Sequence, residues 1–553
     1  MSFLGTEYFI SIANTSLSFV VLIVGGKHVY SLRQYFLDTK AHNETSTFPE
    51  KDSYNLVAHV RTPSNCAEYG VQSGYGTLGI SWRDAVRVAA HRHSLKLCMC
   101  GEFNSSSSYT VVEPNEELPT ILPGNECLCD SPLQGPFDMW IPCNFLEEEP
   151  QQLLQGTDCA KQVDLQQHSH QTRVFLLHST TYVDRLTLKN KLWQSLKQYY
   201  GVERAALIMP RAYNLEDDPE DLASFQKACS DIVNNRMGRY LIFIMKNAYQ
   251  HQQKGISLSS AQQLIDSGIF KGGGIADGYS MATQFLPRPF LVEGYKINMR
   301  RYVVAVCIGG RLRGYVHDDG KNIYTKRKYR EPWDGEEWEN SRYAFNRRLE
   351  ELITTGYVDE SHYDDKPLSG LEFFEYVREQ RKVDPTTFQL SMWCRLAFAL
   401  HMSINSGEFK LCETDPEITK TGAIPSCLQD AIRFQHFGCD FHVDSALTGY
   451  ESRFFECNKG PDFALHSYRD GKMKREVAED ILAFVGFKGD FDGSPENARK
   501  HRLNLIYDSE TFNAERAFQF LDSLSVVDPR LRQRQVRWND AEPVLENAER
   551  DEL

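Results

Sequence analysis

Phe454-Phe455-Glu456-Cys457-Asn458-Lys459-Gly460-Pro461 is the stretch on which the reading of this chain turns. Side chains at i and i+2 of a strand share a face, so Glu456 and Asn458 project together. A hairpin with the apolar segment Phe437 to Val443 brings Asp440 alongside them. Two carboxylates and an amide oxygen, with no imidazole or thiolate, form the hard-oxygen set that suits Mg²⁺ shared with phosphate. The tripeptide alone reads equally as a strand end with two polar residues facing water, so the rest of the chain decides.

The 553 residues leave room for roughly two to four domains and a sizeable core. A hydrophobic content of 41% with 25% charged residues fits a globular protein, neither disordered nor polytopic. The net charge of −14 argues against nucleic acid as a partner, since that needs clustered Lys and Arg. The dense basic cluster Lys326-Arg327-Lys328-Tyr329-Arg330 is too short to invert this.

Tyr8 to Gly26 is nearly free of charge and holds the apolar run Leu17 to Val24. It suits a short spanning anchor or a signal-peptide core, with a buried helix as the alternative. Lys27, Arg33 and Lys40 follow it, which would place the body of a membrane-anchored, single-pass protein in the cytosol. The terminal Arg550-Asp551-Glu552-Leu553 points the other way, to the endoplasmic reticulum, as a variant of its retrieval signal. The sequons at Asn43 and Asn104 agree with a secretory-pathway lumen. So do 14 cysteines, among them Cys98-Met99-Cys100 and Cys127-Leu128-Cys129, which read as ends of a disulfide-stapled segment or, less aptly, as zinc ligands.

Residues 1–26 are thus expected as anchor or signal, 27–60 as a stem and 61–189 as a Cys-rich, loop-rich region. A main domain over 190–485 and a polar tail over 486–553 follow. Helical spacing marks Tyr182 to Tyr200, Pro219 to Asn234, Gly370 to Arg381 and Thr386 to Ser406. Ala205 to Met209, Tyr240 to Met245, Phe290 to Val292, Tyr302 to Ile308 and Arg313 to His317 read as strands. The alternation supports an α/β (α+β) architecture with mixed and antiparallel sheets.

Three further pieces carry chemistry. Lys246 ends the buried strand and leads into Gln250 to Ile256, a loop in which Lys254 can fold over a phosphate. Gln284-Phe285-Leu286-Pro287 is a hinge whose backbone can pair with an adenine edge. Gly294 to Arg300 sets Lys296, Asn298 and Arg300 on one face of an extended segment, and two cations there suit a triphosphate or an acidic substrate. His442 and Asp444 read as packing and solvent residues.

In this order the pieces resemble the tubulin-tyrosine ligase-like family of ATP-grasp enzymes, across roughly residues 190–485. Ile208 to Leu215 looks like the family's approach to its nucleotide domain, and Gly294 to Tyr302 resembles its Gly-x-Lys-Phe-Asp-Leu-Arg-x-Tyr. The resemblance implies an ATP-grasp fold, with ATP and Mg²⁺ as cofactors. It implies nucleotide contacts at Lys246, Lys254, Gln284, Phe285, Leu286, Lys296 and Asn298, and metal ligation by Asp440, Glu456 and Asn458. Arg300, Lys296 and Glu456 are the implied catalytic residues. The implied reaction joins an amino acid to a protein or peptide carboxylate through an acyl phosphate. Two departures weigh on turnover: Asn298 replaces the family's Asp, and Ile323 stands where it has an arginine, unless a register shift substitutes Lys326 or Arg327. A nucleotide-binding pseudoenzyme, anchored or luminal, is therefore an alternative, as is a ligase on a non-tubulin substrate of the secretory pathway. Tubulin is disfavoured, because the chain is acidic and a lumen contains no microtubules.

Overall fold

The computed structural model describes residues 183–524 apart from 235–241, 248–254, 271–277, 287, 309, 333–347, 356–359, 407–411, 413–431, 460, 462, 464–467 and 487–492, together with six short strands nearer the N-terminus. Of these six, β1 (Val20–Leu22) and β2 (Val29–Ser31) pair antiparallel. Part of the run expected as an anchor is therefore a strand, in keeping with its β-branched valines. Among the described residues no helix is long and apolar enough to cross a membrane. The anchor is not supported, and the rest of residues 1–26 lies outside the described residues. So do both sequons, Cys127, Cys129 and the C-terminal tetrapeptide.

The strands β3 (Val57–Arg61), β4 (Lys96–Cys100), β5 (Met139–Trp140) and β6 (Phe175–Leu177) are joined in parallel, in the order β4-β3-β5-β6. A separate four-stranded sheet contains β7 (Ala212–Asn214), β8 (Ile242–Lys246), β9 (Ile256–Ser260) and β10 (Met281–Gln284), ordered β7-β10-β8-β9. The large sheet adds β11 (Leu291–Val292), β12 (Tyr295–Ile308), β13 (Arg311–Thr325), β14 (Thr354–Thr355), β15 (Ile432–His442), β16 (Phe454–Asn458) and β17 (Leu503–Asp508). Its main path runs β14-β13-β12-β15-β6 and on through β5 and β3 to β4. The result is mixed α/β with antiparallel pairing around β12, β13 and β15, as expected.

The helices that position the site are α1 (Lys189–Tyr200), α2 (Val202–Ile208), α3 (Pro219–Asn234), α4 (Gly370–Gln380), α5 (Thr386–Asn405), α6 (Tyr468–Phe484) and α7 (Ala514–Leu524). The sequence α5 needs is apolar nearly all round, because it is buried along most of its length against α1, α7, β13, β16 and β17. Helix α3 lays Phe225 and Cys229 on Tyr213, Phe243, Met245 and Ala282 of the small sheet. Asp221 in its first turn accepts from the Asn214 N–H at 3.0 Å and pairs with Lys197 at 2.8 Å.

Two readings of the sequence change. Ala205 to Met209, expected as a strand, lies mostly within α2. Glu203, Arg204, Ala205 and Ala206 favour a helix, and a short apolar run does not by itself distinguish the two. The carbonyls near its end accept from buried guanidiniums, Ala206 from Arg453 at 2.9 Å and Leu207 from Arg395 at 2.8 Å. The region beyond 486, expected as a polar tail, supplies β17 along β13 and α7 against α5.

Candidate nucleotide site

Strand register builds the site. Lys321, Arg300, Asp440 and Glu456 stand in one row across β13, β12, β15 and β16. Ile323, Asn298 and His442 form the row two residues along, and Gly438 faces Asn458 on the opposite side of the first row. Because strand side chains alternate, these residues share one face. The sheet thus sets Asp440, Glu456 and Asn458 on the same face as Lys296, Asn298 and Arg300, with Asp440 between Arg300 and Glu456. Gly438 is needed for this closeness, since a Cβ there would stand 2.7 Å from the Pro461 Cβ and 3.4 Å from the Arg300 Cδ.

Electrostatics tie the row into one unit. Arg300 grips Asp440 with both arms of its fork, Nε to Oδ1 at 2.7 Å and Nη2 to Oδ2 at 2.8 Å. Burial raises the Asp440 carboxyl above its ordinary value despite Arg300, and neighbouring Glu456 adds to the rise. Burial also opposes charge on Glu456, but Lys189, Lys246 and Arg300 outweigh it and hold that carboxyl below its ordinary value. Lys189, at the start of α1, lies 3.4 Å from a Glu456 oxygen.

Lys246 comes from the end of β8 in the small sheet, with its ammonium 5.8 Å from the Phe455 ring centre. Burial lowers its pKa to about 8, with Glu456 and Asp440 resisting and Lys189 contributing. Lys296 is 4% exposed, donates to the Leu352 carbonyl at 3.0 Å and sits 4.7 Å over the Phe285 ring. Burial, then the charge of Lys246, brings its pKa down to about 7. Two lysines from different sheets therefore converge; Lys246 feels the two carboxylates, whereas Lys296 feels Lys246, an expensive charge to bury without an anion to accompany it.

Part of the hinge backbone is already engaged between strands. The N–H groups of Gln284 and Phe285 are committed to the carbonyls of Arg211 and Ile242, both at 2.9 Å. Phe285 is buried beneath Lys296, and Leu286 is half-buried beside it. A base at this hinge would meet carbonyls and Leu286 rather than those two N–H groups. Lys254 lies outside the described residues. Asn298 donates to the Thr354 hydroxyl at 2.8 Å, while its carbonyl oxygen is buried with no hydrogen-bond partner.

No register shift moves a cation to position 323. Pairing is continuous from Ile297↔Tyr324 to Arg300↔Lys321. Lys326 and Arg327 turn instead to Glu350, at 3.6 and 3.1 Å. Asn298 and Ile323 are direct cross-strand partners, so both departures fall on one spot.

Sequence reasoning missed Lys189 and Lys321, whose positions depend on packing between distant segments. It also missed two disulfides, Cys439–Cys457 and Cys307–Cys412. The first was open to deduction, since an antiparallel pairing of Asp440 with Glu456 sets Cys439 opposite Cys457. His442 is buried as a packing residue should be, and Asp444 is buried rather than solvated. The Asp444 carboxylate accepts from the Ala446, Thr448 and Gly449 N–H groups and the Ser452 hydroxyl.

The oxygens here are of the kind Mg²⁺ takes, and in this structure both Asp440 oxygens are held by Arg300 and Glu456 pairs with Lys189. Asp440, Glu456 and Asn458 offer hard oxygens on one face, while the neighbouring sulfurs point to the other face and are bonded to each other. Among the described residues no group of three His, Cys, Asp or Glu is arranged to hold a metal.

The sequence model of the tubulin-tyrosine ligase family matches residues 166–493, more than half of the chain. The chain belongs to the tubulin-tyrosine ligase family. A human relative described as tubulin polyglutamylase TTLL13 is 22% identical over 353 residues, covering 62% of this chain and 38% of that protein. This family member therefore spans well under half of that relative's length.

Proposed function

We propose that this protein is an ATP-dependent ligase that joins an amino acid to a carboxylate of a protein or peptide. One arrangement supports this most: Lys246 and Lys296 converge on the face where Asp440 and Glu456 lie paired across β15 and β16. Asp440, Glu456 and Asn458 would hold Mg²⁺, which supplies charge neutralisation among phosphates. Lys246 and Lys296 would orient the nucleotide phosphates, and their burial strengthens that attraction. A substrate carboxylate oxygen attacks the γ-phosphorus and the bond to ADP breaks, giving an acyl phosphate. An amine nitrogen then attacks the carbonyl carbon, phosphate leaves and the amine loses a proton. Arg300, with two N–H donors on Asp440, would use its remaining donors on the charge passing through the acyl phosphate.

Isothermal titration with Mg-ATP tests the site. Wild type should bind, and Glu456→Gln should weaken binding at least about tenfold, the loss of one charge-assisted ligand. Unchanged affinity in the variant would sink the metal assignment. ADP release that requires both an amino acid and a carboxylate-bearing acceptor supports ligation.

A second reading is a nucleotide-binding module without turnover, favoured by the neutral Asn298–Ile323 pair where a carboxylate and a guanidinium are expected. Nucleotide binding without acceptor-dependent ADP release would select it. The two disulfides favour an oxidising lumen, and with it a substrate other than tubulin.

A further inference from the structure

The helical turn Leu349–Leu352 and the strand β14 that follows it reach the nucleotide site from outside the row of charges. The Leu352 carbonyl accepts from the Lys296 ammonium at 3.0 Å, and the Thr354 hydroxyl accepts from the Asn298 amide at 2.8 Å. The Leu352 side chain is buried with Ile242, Ile244 and Leu258 of the small sheet and with Phe285 and Tyr329. One residue thus touches both sheets where Lys246 and Lys296 converge. A four-residue turn has little helical stability of its own, so side chains must fix it. Glu351 accepts from Arg330 at 2.9 and 3.0 Å and from Arg348 at 2.9 Å. Arg348 in turn donates to the carbonyls of Glu331 and Pro332, just past β13, at 3.2 and 3.3 Å. Burial opposes charge on Glu351, but Arg330 and Arg348 outweigh it and hold the carboxyl below its ordinary value. On the other side of Leu352, Thr354 and Thr355 pair with Thr325 and Tyr324 of β13. The strap is therefore fastened on both sides of the carbonyl that holds Lys296.

We propose that Glu351 is a positioning residue for nucleotide binding: by gripping Arg330 and Arg348 it keeps the Leu352 carbonyl on Lys296, and so fixes the ammonium that meets the phosphates. Charge is essential to that grip, because a carboxylate accepts both prongs of a guanidinium and an amide does not. Without it one fastening opens, the carbonyl moves off Lys296, and the ammonium shifts toward water.

This rests on the nucleotide reading, and a double-mutant cycle separates the two. Mg-ATP affinity is measured by isothermal titration on the full chain for wild type, Glu351→Gln, Lys296→Met and the double variant. Wild type should bind and Lys296→Met should bind more weakly; failure of either overturns the nucleotide reading and this inference with it. Glu351→Gln should weaken binding at least about fivefold in the wild-type background and by less than about twofold once Lys296 is replaced. No loss in Glu351→Gln overturns the proposal. So does an equal loss in both backgrounds, the mark of a merely structural role. Proton uptake on binding at pH 8, read in buffers of different ionisation enthalpy, decides if Lys296→Met binds too weakly to complete the cycle. It should fall in Glu351→Gln, because a Lys296 ammonium nearer water already holds its proton, and uptake equal to wild type overturns the proposal. Should Glu351→Gln not fold, Arg330→Gln loosens the same grip from a side chain 60% exposed, and is judged by the same outcomes.

Discussion

Lys246 and Lys296 are where a single side chain reports most on function. Their ammonium groups, ordinarily near 10.5, are brought to about 8 and about 7 by burial. Between about pH 7 and 10.5 the unfolded chain holds protons that the folded chain has released. Their contribution to stability therefore rises with pH through that window and is lowest below it, where the fold must carry both charges. Nucleotide phosphates act in the opposite sense by favouring the protonated lysines. Calorimetry at pH 8 in buffers of different ionisation enthalpy should show net proton uptake on binding Mg-ATP, with affinity falling from pH 7 to pH 9. Binding heats independent of the buffer would contradict a phosphate contact at either lysine.

At the scale of elements, the pairing of β15 with β16 decides the site. It was legible because apolar runs around Asp440 and Glu456 imply strands, and alternation within each strand then fixes the shared face. Lys296, Asn298 and Arg300 were legible for the same reason. Lys189 and Lys321 were not, because each reaches the site through contacts between segments far apart in the chain. The helix α2 was misread for a related reason: Arg395 and Arg453, which donate to the Leu207 and Ala206 carbonyls near its end, lie far downstream. Gly438→Ala should destabilise the protein by about 1–3 kcal/mol, since the rigid Pro461 ring leaves no room for a methyl. Denaturant unfolding measures this, and a change within 0.5 kcal/mol, about the size typical of a surface substitution, would contradict the packing described. The disulfide Cys439–Cys457 closes a short loop, at a sequence separation of 18. Replacing both cysteines by serine should cost about 3 kcal/mol by loop entropy. Thermal unfolding measures that loss, and Mg-ATP affinity should weaken with it as the carboxylates lose their fixed spacing.

For the whole molecule, the segment beyond residue 486 completes the fold rather than trailing from it. Leu503, Ile506 and Tyr507 are buried, and Asp508 of β17 pairs with Arg311 and Arg313. A chain ending at Arg502 would leave that edge of β13 and one side of α5 uncovered. It should be recovered largely as aggregate, and a soluble monomer with unchanged Tm by size exclusion and circular dichroism would contradict this. Little of this was readable, because the segment is polar on average and its apolar residues gain meaning only beside β13 and α5. The bond between Cys439 and Cys457 also has a bearing on the bench. Its sulfurs lie one residue from Asp440 and from Glu456, on the reverse of the same two strands. A thiol reductant added as a routine preservative would then act as an antagonist of nucleotide binding, and an assay run in it would understate the affinity of a competent preparation.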